Sequence, residues 1–362
     1  MAPFASANIQ AAPNIAVVMG GKNMTIQFVR TETAACGMAP AGENEALRVV
    51  EVCGRTAYKS EDKISEDSAK SFVLMLKKHG HMSVLEHSNV VLQVEAGGNA
   101  GDAAEVATAA ADALVKDLRE RNAYHRVYPY AERQAGPAGF AVAGNFRAWI
   151  ETLPFLQARR PDQHGFLTQG LGQFYPTLFP QALAAAAAHP FAVSLVDTDR
   201  QLALLQQDPT SDLPLFIFKI VCDRGITHEI VRHRVFSFTQ ESTRYVNYKN
   251  KGMTLILPEE LEPFFDATGR CLDPREPLVE TWLQRAESIF QWYQDDLGRG
   301  RRPEIARDIL PNLLKSEIFV SGRWSGWRHF IALRDSKQAH PRIRGIARQV
   351  REYFESIGLT CP

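Results

Sequence analysis

Several features that usually announce a function are missing from this chain of 362 residues. Lysine plus arginine and aspartate plus glutamate are balanced at 41 each, so no net charge gathers nucleic acid or an anionic membrane, and any anion site must be local. The five cysteines, at 36, 53, 222, 271 and 361, form no CxxC and no paired spacing. That suits a reducing cytoplasm better than a disulfide framework. Apolar runs stop well short of a membrane span. The first twenty residues have no basic segment before IAVVM, which argues against a signal peptide and makes residues 1–24 a poorly ordered leader. GxGxxG is missing, and the GGK at 20–22 lacks the spacing of a phosphate loop. These absences leave a cytoplasmic protein with no membrane or nucleic-acid partner.

What is present is an ordinary globular composition, 45% hydrophobic and 23% charged, enough to bury one large core or two smaller ones. TIQFVR (25–30) has strand content, and NEALRVVEVCGRTAY (44–58) repeats apolar residues at helical spacing. SEDSAKSFVLMLKKHG (65–80) opens with serine and acids and closes with lysines and glycine, as helices do. SNVVLQVEA (88–96) reads as a strand. From 97 to 208 the composition turns alanine-rich, in DAAEVATAAADALVKDLRERN (102–122) and PQALAAAAA (180–188), and predicts a mostly helical insertion. LPLFIFKIVC (213–222) is a buried strand or an apolar helix. TLILP (254–258) and EIFVSG (317–322) read as strands; 277–297, 302–311, 324–334 and 341–358 read as helices. No internal repeat is visible. The expected fold class is α+β: a mixed sheet with flanking helices formed by 25–96 and 209–362, interrupted by the insertion.

Metal and thiol chemistry find little support. In THEIVRH, His228 and His233 are five apart, whereas a zinc-binding helix needs four to put both on one face. His79, His81 and His87 around Glu86 become ligands only if a turn gathers them, so no metal is expected. Cys222 closes an apolar run and Cys361 sits at the terminus, so neither reads as a nucleophile.

The segment RHRVFSFTQESTRY (232–245) is different. Its charges are interleaved with Val235, Phe236, Phe238 and Tyr245, which sets arginines against apolar groups, where a bound anion relieves the cost of burying them. Ser242 and Arg244, at alternate positions of an extended segment, point the same way and converge on a phosphate. HGHMSVLEH (79–87), ARDILP (306–311) and the stretch from Leu333 to His340 would each alone be a helix cap or surface charge.

Together, RHR followed by seven residues and serine, the GHxSxxEH at Gly80–His87, the ARxxLP at Ala306–Pro311 and the LR…AH at Leu333–His340 occur in the order found in flavin-dependent thymidylate synthases. The chain resembles that family over about 25–96 and 213–355. The resemblance implies reductive methylation of dUMP at C5 to dTMP, with methylenetetrahydrofolate as carbon donor, FAD as hydride source, NADPH as reductant and no metal. By the same resemblance, dUMP meets Glu229, Arg232, Gln240, Glu241, Ser242, Thr243, Arg244, Arg307 and Arg334, with Arg334 the catalytic group against the uracil ring. FAD and folate meet His81, Ser83, Glu86, Arg232, His233, Arg234, Gln240, Arg323, Ser325 and His329. The family's sites lie between the subunits of a homotetramer.

Some positions depart from the pattern. Thr239 and Gln240 stand where the family often has Asn-Glu, Glu229 where it has Gln, and Arg323 and His329 where some members have asparagine. Two other readings stay open: a methylase or hydroxymethylase of UMP or another uracil nucleotide, and a nucleotide- or nucleic-acid-binding homologue without activity.

Overall fold

The computed structural model describes residues 15–19, 25–97, 100–121, 124–129, 139–180, 191–244, 248, 252–266 and 270–362. Tyr245, most of the leader and nearly all of the alanine run at 180–188 lie outside them. In chain order the elements are strands β1 (Ile15–Met19), β2 (Thr25–Val29) and β3 (Glu32–Met38), helices α1 (Glu43–Tyr58) and α2 (Ser68–Lys78), and strand β4 (Val90–Ala96). Next come α3 (Ala100–Arg121), β5 (Arg126–Pro129), β6 (Gly139–Gly144), α4 (Phe146–Arg159), α5 (Pro161–Phe174), β7 (Phe191–Leu195) and α6 (Thr198–Gln207). The last part holds β8 (Leu215–Asp223), α7 (Arg224–Ile230), β9 (Ser237–Gln240), β10 (Met253–Ile256), α8 (Pro277–Gly298), α9 (Pro303–Ala306), β11 (Lys315–Arg323), α10 (Trp324–Arg334) and α11 (Pro341–Ser356).

Three sheets result, in the orders β1-β2-β10, β3-β8-β11-β9 and β5-β6-β4-β7. The run at 213–222 resolves as a strand because β8 is the inner member of the second sheet, antiparallel to β3 on one side and β11 on the other. All its residues are buried except Lys219, and a strand covered on both faces reads as continuous apolar sequence rather than alternation. Helices α10 and α11 cover one face of that sheet. On α11, Ile343, Ile346, Ala347, Val350 and Phe354 recur at helical spacing and all are buried. Its start follows rule: Pro341 is the first helical residue and the His340 ring accepts from the Arg342 N–H at 3.2 Å.

Two expectations change. Ile15–Met19, assigned to the leader, is a strand paired with β2 from Ile15↔Val29 to Met19↔Thr25. The segment 97–208, expected to be mostly helical, also supplies β5, β6 and β7, which form one sheet with β4. GFAVAG (139–144) lacks the β-branched content of a strand, yet every one of its residues is buried, so tertiary burial overrides propensity. The segment is also part of the main core. Its Trp149, Phe166 and Tyr175 share one core cluster with Val49, Val50 and Phe72 of α1 and α2 and with Ile217 and Phe319 of the second sheet.

One buried carboxylate organises the edge of that sheet. Glu317, at 8% side-chain exposure, takes Lys59 at 2.7 Å, Lys219 at 2.9 Å and Lys315 at 2.5 Å. Lys315 also reaches Glu241 at 3.1 Å. These lysines hold the Glu317 carboxyl well below the ordinary range despite its burial. Removing it leaves cations without a counter-charge, so Glu317→Ala should lower unfolding stability by about 3–5 kcal/mol, measured by urea denaturation at neutral pH.

Candidate active site

The residues singled out in the sequence fall into two clefts and one surface cluster. The larger cleft, about 510 Å³, lies between the end of α1, the turn at Gly80–Val84, strand β9 with its continuation to Arg244, and the side chains of Arg224 and Arg307. Gly80 has φ +72°, a left-handed conformation that glycine adopts without steric cost. It turns the chain from α2 so that His81 and Ser83 line the cleft. The His81 Nδ1 lies 3.1 Å from the Tyr58 hydroxyl.

The opposite wall is the segment after β9. Its backbone is pinned by Ser242 N–H donating to the Ala57 carbonyl at 3.1 Å. The chain then turns at Thr243–Arg244. Ser242 and Arg244 are therefore brought together by a turn rather than by strand alternation, and the Arg244 N–H donates to Ser242 Oγ at 3.3 Å. Arg307 closes this wall by donating to Thr243 Oγ1 at 3.0 Å. Gln240 lines the cleft while donating to Thr227 and Ser316 hydroxyls at 3.0 and 2.9 Å. Glu241 lines it too, but its carboxylate is paired with Lys315 and, at 3.6 Å, Lys59. With Glu241 neutralised, Arg224, Arg244 and Arg307 give the cleft a positive lining. Arg224 and Tyr58 escaped the sequence reading; Arg224 had only its closeness to the 232–245 segment to mark it.

Arg334 does not line this cleft. It donates to His233 Nε2 at 3.0 Å, to the Glu229 carboxylate at 2.8 Å and to the Glu229 carbonyl at 3.2 Å. Burial, with the Arg334 and His329 charges, pushes His233 down to about 4, so the ring is neutral and can accept from the arginine. Arg232 and Arg234 beside it are exposed. Arg323, Ser325 and His329 line a second, smaller cleft of about 170 Å³ together with Ser237 and with Tyr124, Arg126 and Asn145 from the 97–208 segment. Nothing in the sequence pointed to those last three.

Glu86 and His87 sit behind both clefts. Glu86 accepts from Ser237 Oγ at 2.6 Å and from Arg147 at 2.7 Å. His87 is fully buried, its Nδ1 2.5 Å from Ser321 Oγ and its Nε2 2.9 Å from Thr239 Oγ1. Both ring nitrogens are thus engaged in the core. The cysteines offer no thiolate: burial pushes Cys36 up to about 12 and raises Cys53 and Cys222 strongly.

Burial also lowers His87 and His125 to about 3 from an ordinary value of 6.5. With His233 near 4, the unfolded chain binds these protons first as pH falls. Stability should therefore be full above roughly pH 6.5 and decline from there towards roughly pH 3. Urea midpoints across that window should show it, and His87→Asn should flatten the slope by removing one of the titrating groups while lowering stability at neutral pH.

Residues 206–357 match the family model described as thymidylate synthase complementing protein. This match takes in the 232–244 segment, Arg307 and Arg334. The chain is 35% identical over 140 residues to the flavin-dependent thymidylate synthase of Pyrococcus abyssi, covering 38% of this chain and 53% of that protein. The Pyrococcus furiosus protein of the same name is 34% identical over the same length and coverage. That of Mycobacterium tuberculosis is 33% identical over 128 residues, covering 34% of this chain and 50% of the relative. The chain spans about half the length of the curated relatives it matches, and over that span it is similar to the flavin-dependent thymidylate synthases.

Proposed function

We propose that the protein is a flavin-dependent thymidylate synthase that methylates dUMP at C5. The observation that carries the reading is the larger cleft, in which His81, Ser83, Ser242, Arg244 and Arg307, drawn from segments far apart in the chain, line one nucleotide-sized space. Ser242, Arg244 and Arg307 supply the hydroxyl and guanidinium donors a phosphate monoester needs. The residues also fit a flavin nucleotide. Arg232 and Arg234 are exposed and, among the described residues, no side-chain hydrogen bond or ion pair engages them, so their forks are available to phosphates.

Arg334 is the group that activates the ring. Without a cysteine adding at C6, C5 of uracil becomes nucleophilic when the N3-deprotonated form is stabilised. A guanidinium about 4 Å from that charge contributes roughly 4 kcal/mol at an effective dielectric near 20, or about three pKa units. In this chain Arg334 is held by Glu229 and His233 at the C-terminal end of α10, outside the larger cleft. The proposal therefore includes association of chains, as in the homotetramer the resemblance implies, so that the face with Arg232, Arg234 and Arg334 closes over another chain's cleft. Methylenetetrahydrofolate supplies the one-carbon unit. Arg232 and Arg234 would hold FAD, which when bound would supply the hydride chemistry, with NADPH as the reductant.

Tritium release from 5-tritiated dUMP, run with FAD, NADPH and methylenetetrahydrofolate beside the same assay on 5-tritiated UMP, tests the reading. Folate- and reductant-dependent release from dUMP is expected; release only from UMP would move the activity to the ribonucleotide, and none from either would leave a binding protein. Arg334→Ala should reduce turnover by about a thousandfold while flavin absorbance of the purified protein stays near wild type. Undiminished turnover would remove the ring-activation role.

A further inference from the structure

The second and third sheets are built alike. Their orders, β3-β8-β11-β9 and β7-β4-β6-β5, contain only antiparallel neighbours. Their registers also coincide. Val90 opposite Gly144 corresponds to Phe216 opposite Gly322, and Glu95 opposite Gly139 to Val221 opposite Glu317. At one edge Leu92 faces Leu195 as Phe218 faces Ala35. At the other, Arg126 faces Ala143 as Ser237 faces Ser321. In each sheet the third strand runs straight into a helix through the same pattern, V-x-G-x-x-x-x-W: Val142, Gly144, Trp149 and Val320, Gly322, Trp327. Both tryptophans are fully buried. A Cβ on Gly144 would lie 2.9 Å from the Trp149 Nε1, and one on Gly322 3.3 Å from the Trp327 Nε1. At Gly322 the Phe236 ring stands closer still to that Cβ, and at Gly144 the His125 ring, one residue before Arg126 as Phe236 is before Ser237, stands at 3.1 Å. A tryptophan and a second ring thus crowd the glycine at both places. The edge strands are exchanged: β3 precedes the first unit (β4, β5 and β6) but completes the sheet of the second (β8, β9 and β11), and β7 precedes the second unit but completes the sheet of the first. Reciprocal exchange of an identical element is the geometry of a swapped dimer, here within one chain.

The two units have diverged at the positions that matter. The counterpart of Arg334 is Leu156, fully buried in the core. The counterparts of Ser325 and His329 are Arg147 and Glu151, which pair with each other at 2.8 Å while Arg147 also holds Glu86. The smaller cleft lies where the units meet, because both members of two corresponding pairs line it: Arg126 with Ser237, and Asn145 with Arg323. Arg323 gives its Nη atoms to three backbone carbonyls and the Asn89 amide oxygen, all neutral. The nearest carboxylate, Asp212, is taken by Ser325 N–H and Oγ at 3.0 and 2.6 Å and by Arg126 at 3.3 Å. Arg323 is therefore a buried guanidinium whose direct partners are all neutral, and burial pushes it down to about 9. A buried charge with no direct counter-ion is relieved by a bound anion. At about 170 Å³, the space suits phosphoryl groups and is too small for a whole dinucleotide.

We propose that the chain is an internal duplication whose first unit has lost its own site and serves as the built-in partner of the second, contributing Arg126 and Asn145 to a cleft for the phosphoryl groups of the flavin nucleotide. The ligand's identity rests on the flavin reading above; the duplication does not. Val235, next to the exposed Arg234, also lines this cleft, so a longer ligand leaves it towards Arg232 and Arg234.

The test is fluorescence titration of flavin-free protein with FAD and, as a phosphate-free probe, riboflavin. Arg126→Gln and Asn145→Ser, the latter keeping a helix-capping side chain, should each weaken FAD binding by about tenfold or more with riboflavin binding unchanged. Should Arg126→Gln lower the melting temperature, Arg126→Lys keeps the charge and should restore most of the FAD affinity. Wild-type FAD affinity in both variants, or an equal loss for riboflavin, would overturn the assignment while leaving the flavin reading in place. A wild-type protein that takes up no FAD would overturn both.

Discussion

Glu86 and His87 are buried side by side, and three separate parts of the chain converge on them. Ser237 and Thr239 come from β9, Ser321 from β11 and Arg147 from the 97–208 segment. In a low-dielectric interior each of these groups would be costly unpaired, while a fully satisfied set is rigid and specifies one arrangement. The consequences run outward in both directions. The turn at Gly80–Ser83, a wall of the larger cleft, is held because it leads directly into Glu86. Strand β9 is held because two of its four residues are bonded to the pair, and it carries the chain out to Ser242 and Arg244.

A second layer of control is electrostatic. Glu317 and Glu241 stand beside the larger cleft, and left unpaired they would repel an anion. Lys59, Lys219 and Lys315 neutralise them from the sheet side, leaving Arg224, Arg244 and Arg307 to set the potential. The surface cluster works differently: Arg334 is spread over the Glu229 carboxylate and carbonyl and a neutral His233, so its guanidinium is oriented before any ligand arrives. His233 can serve there only because burial and its cationic neighbours keep it unprotonated.

Legibility followed burial pattern. Helix α11 was readable because one face alone is buried and the apolar spacing shows it. Strand β8 was half-readable: a continuous apolar run tells burial but not whether it is strand or helix. Strands β6 and β7 were not readable, since GFAVAG and FAVSL are short and alanine-bearing and become strands by pairing with β4. The repeat was hidden for the same reason. Its two units share a valine, a glycine and a tryptophan in the V-x-G-x-x-x-x-W stretch, while the equivalence of their other positions lies in backbone register, and the exchange of β3 and β7 puts corresponding strands in different places along the chain.

What the sequence determined by itself were the local identities: which residues carry charge, hydroxyl or imidazole, at what spacing, and in what order the motifs run. Those are properties of neighbouring positions, and they were enough to mark Ser242, Arg244, Arg307 and Arg334. Only the tertiary structure decided which of them meet. It put Ser242, Arg244 and Arg307 with His81 in one cleft, set Arg334 apart with Glu229 and His233, and gave Arg323 neighbours from the alanine-rich segment. Distances between residues far apart in the chain depend on strand register and on which buried polar groups must find partners, and both are settled by packing of the whole molecule.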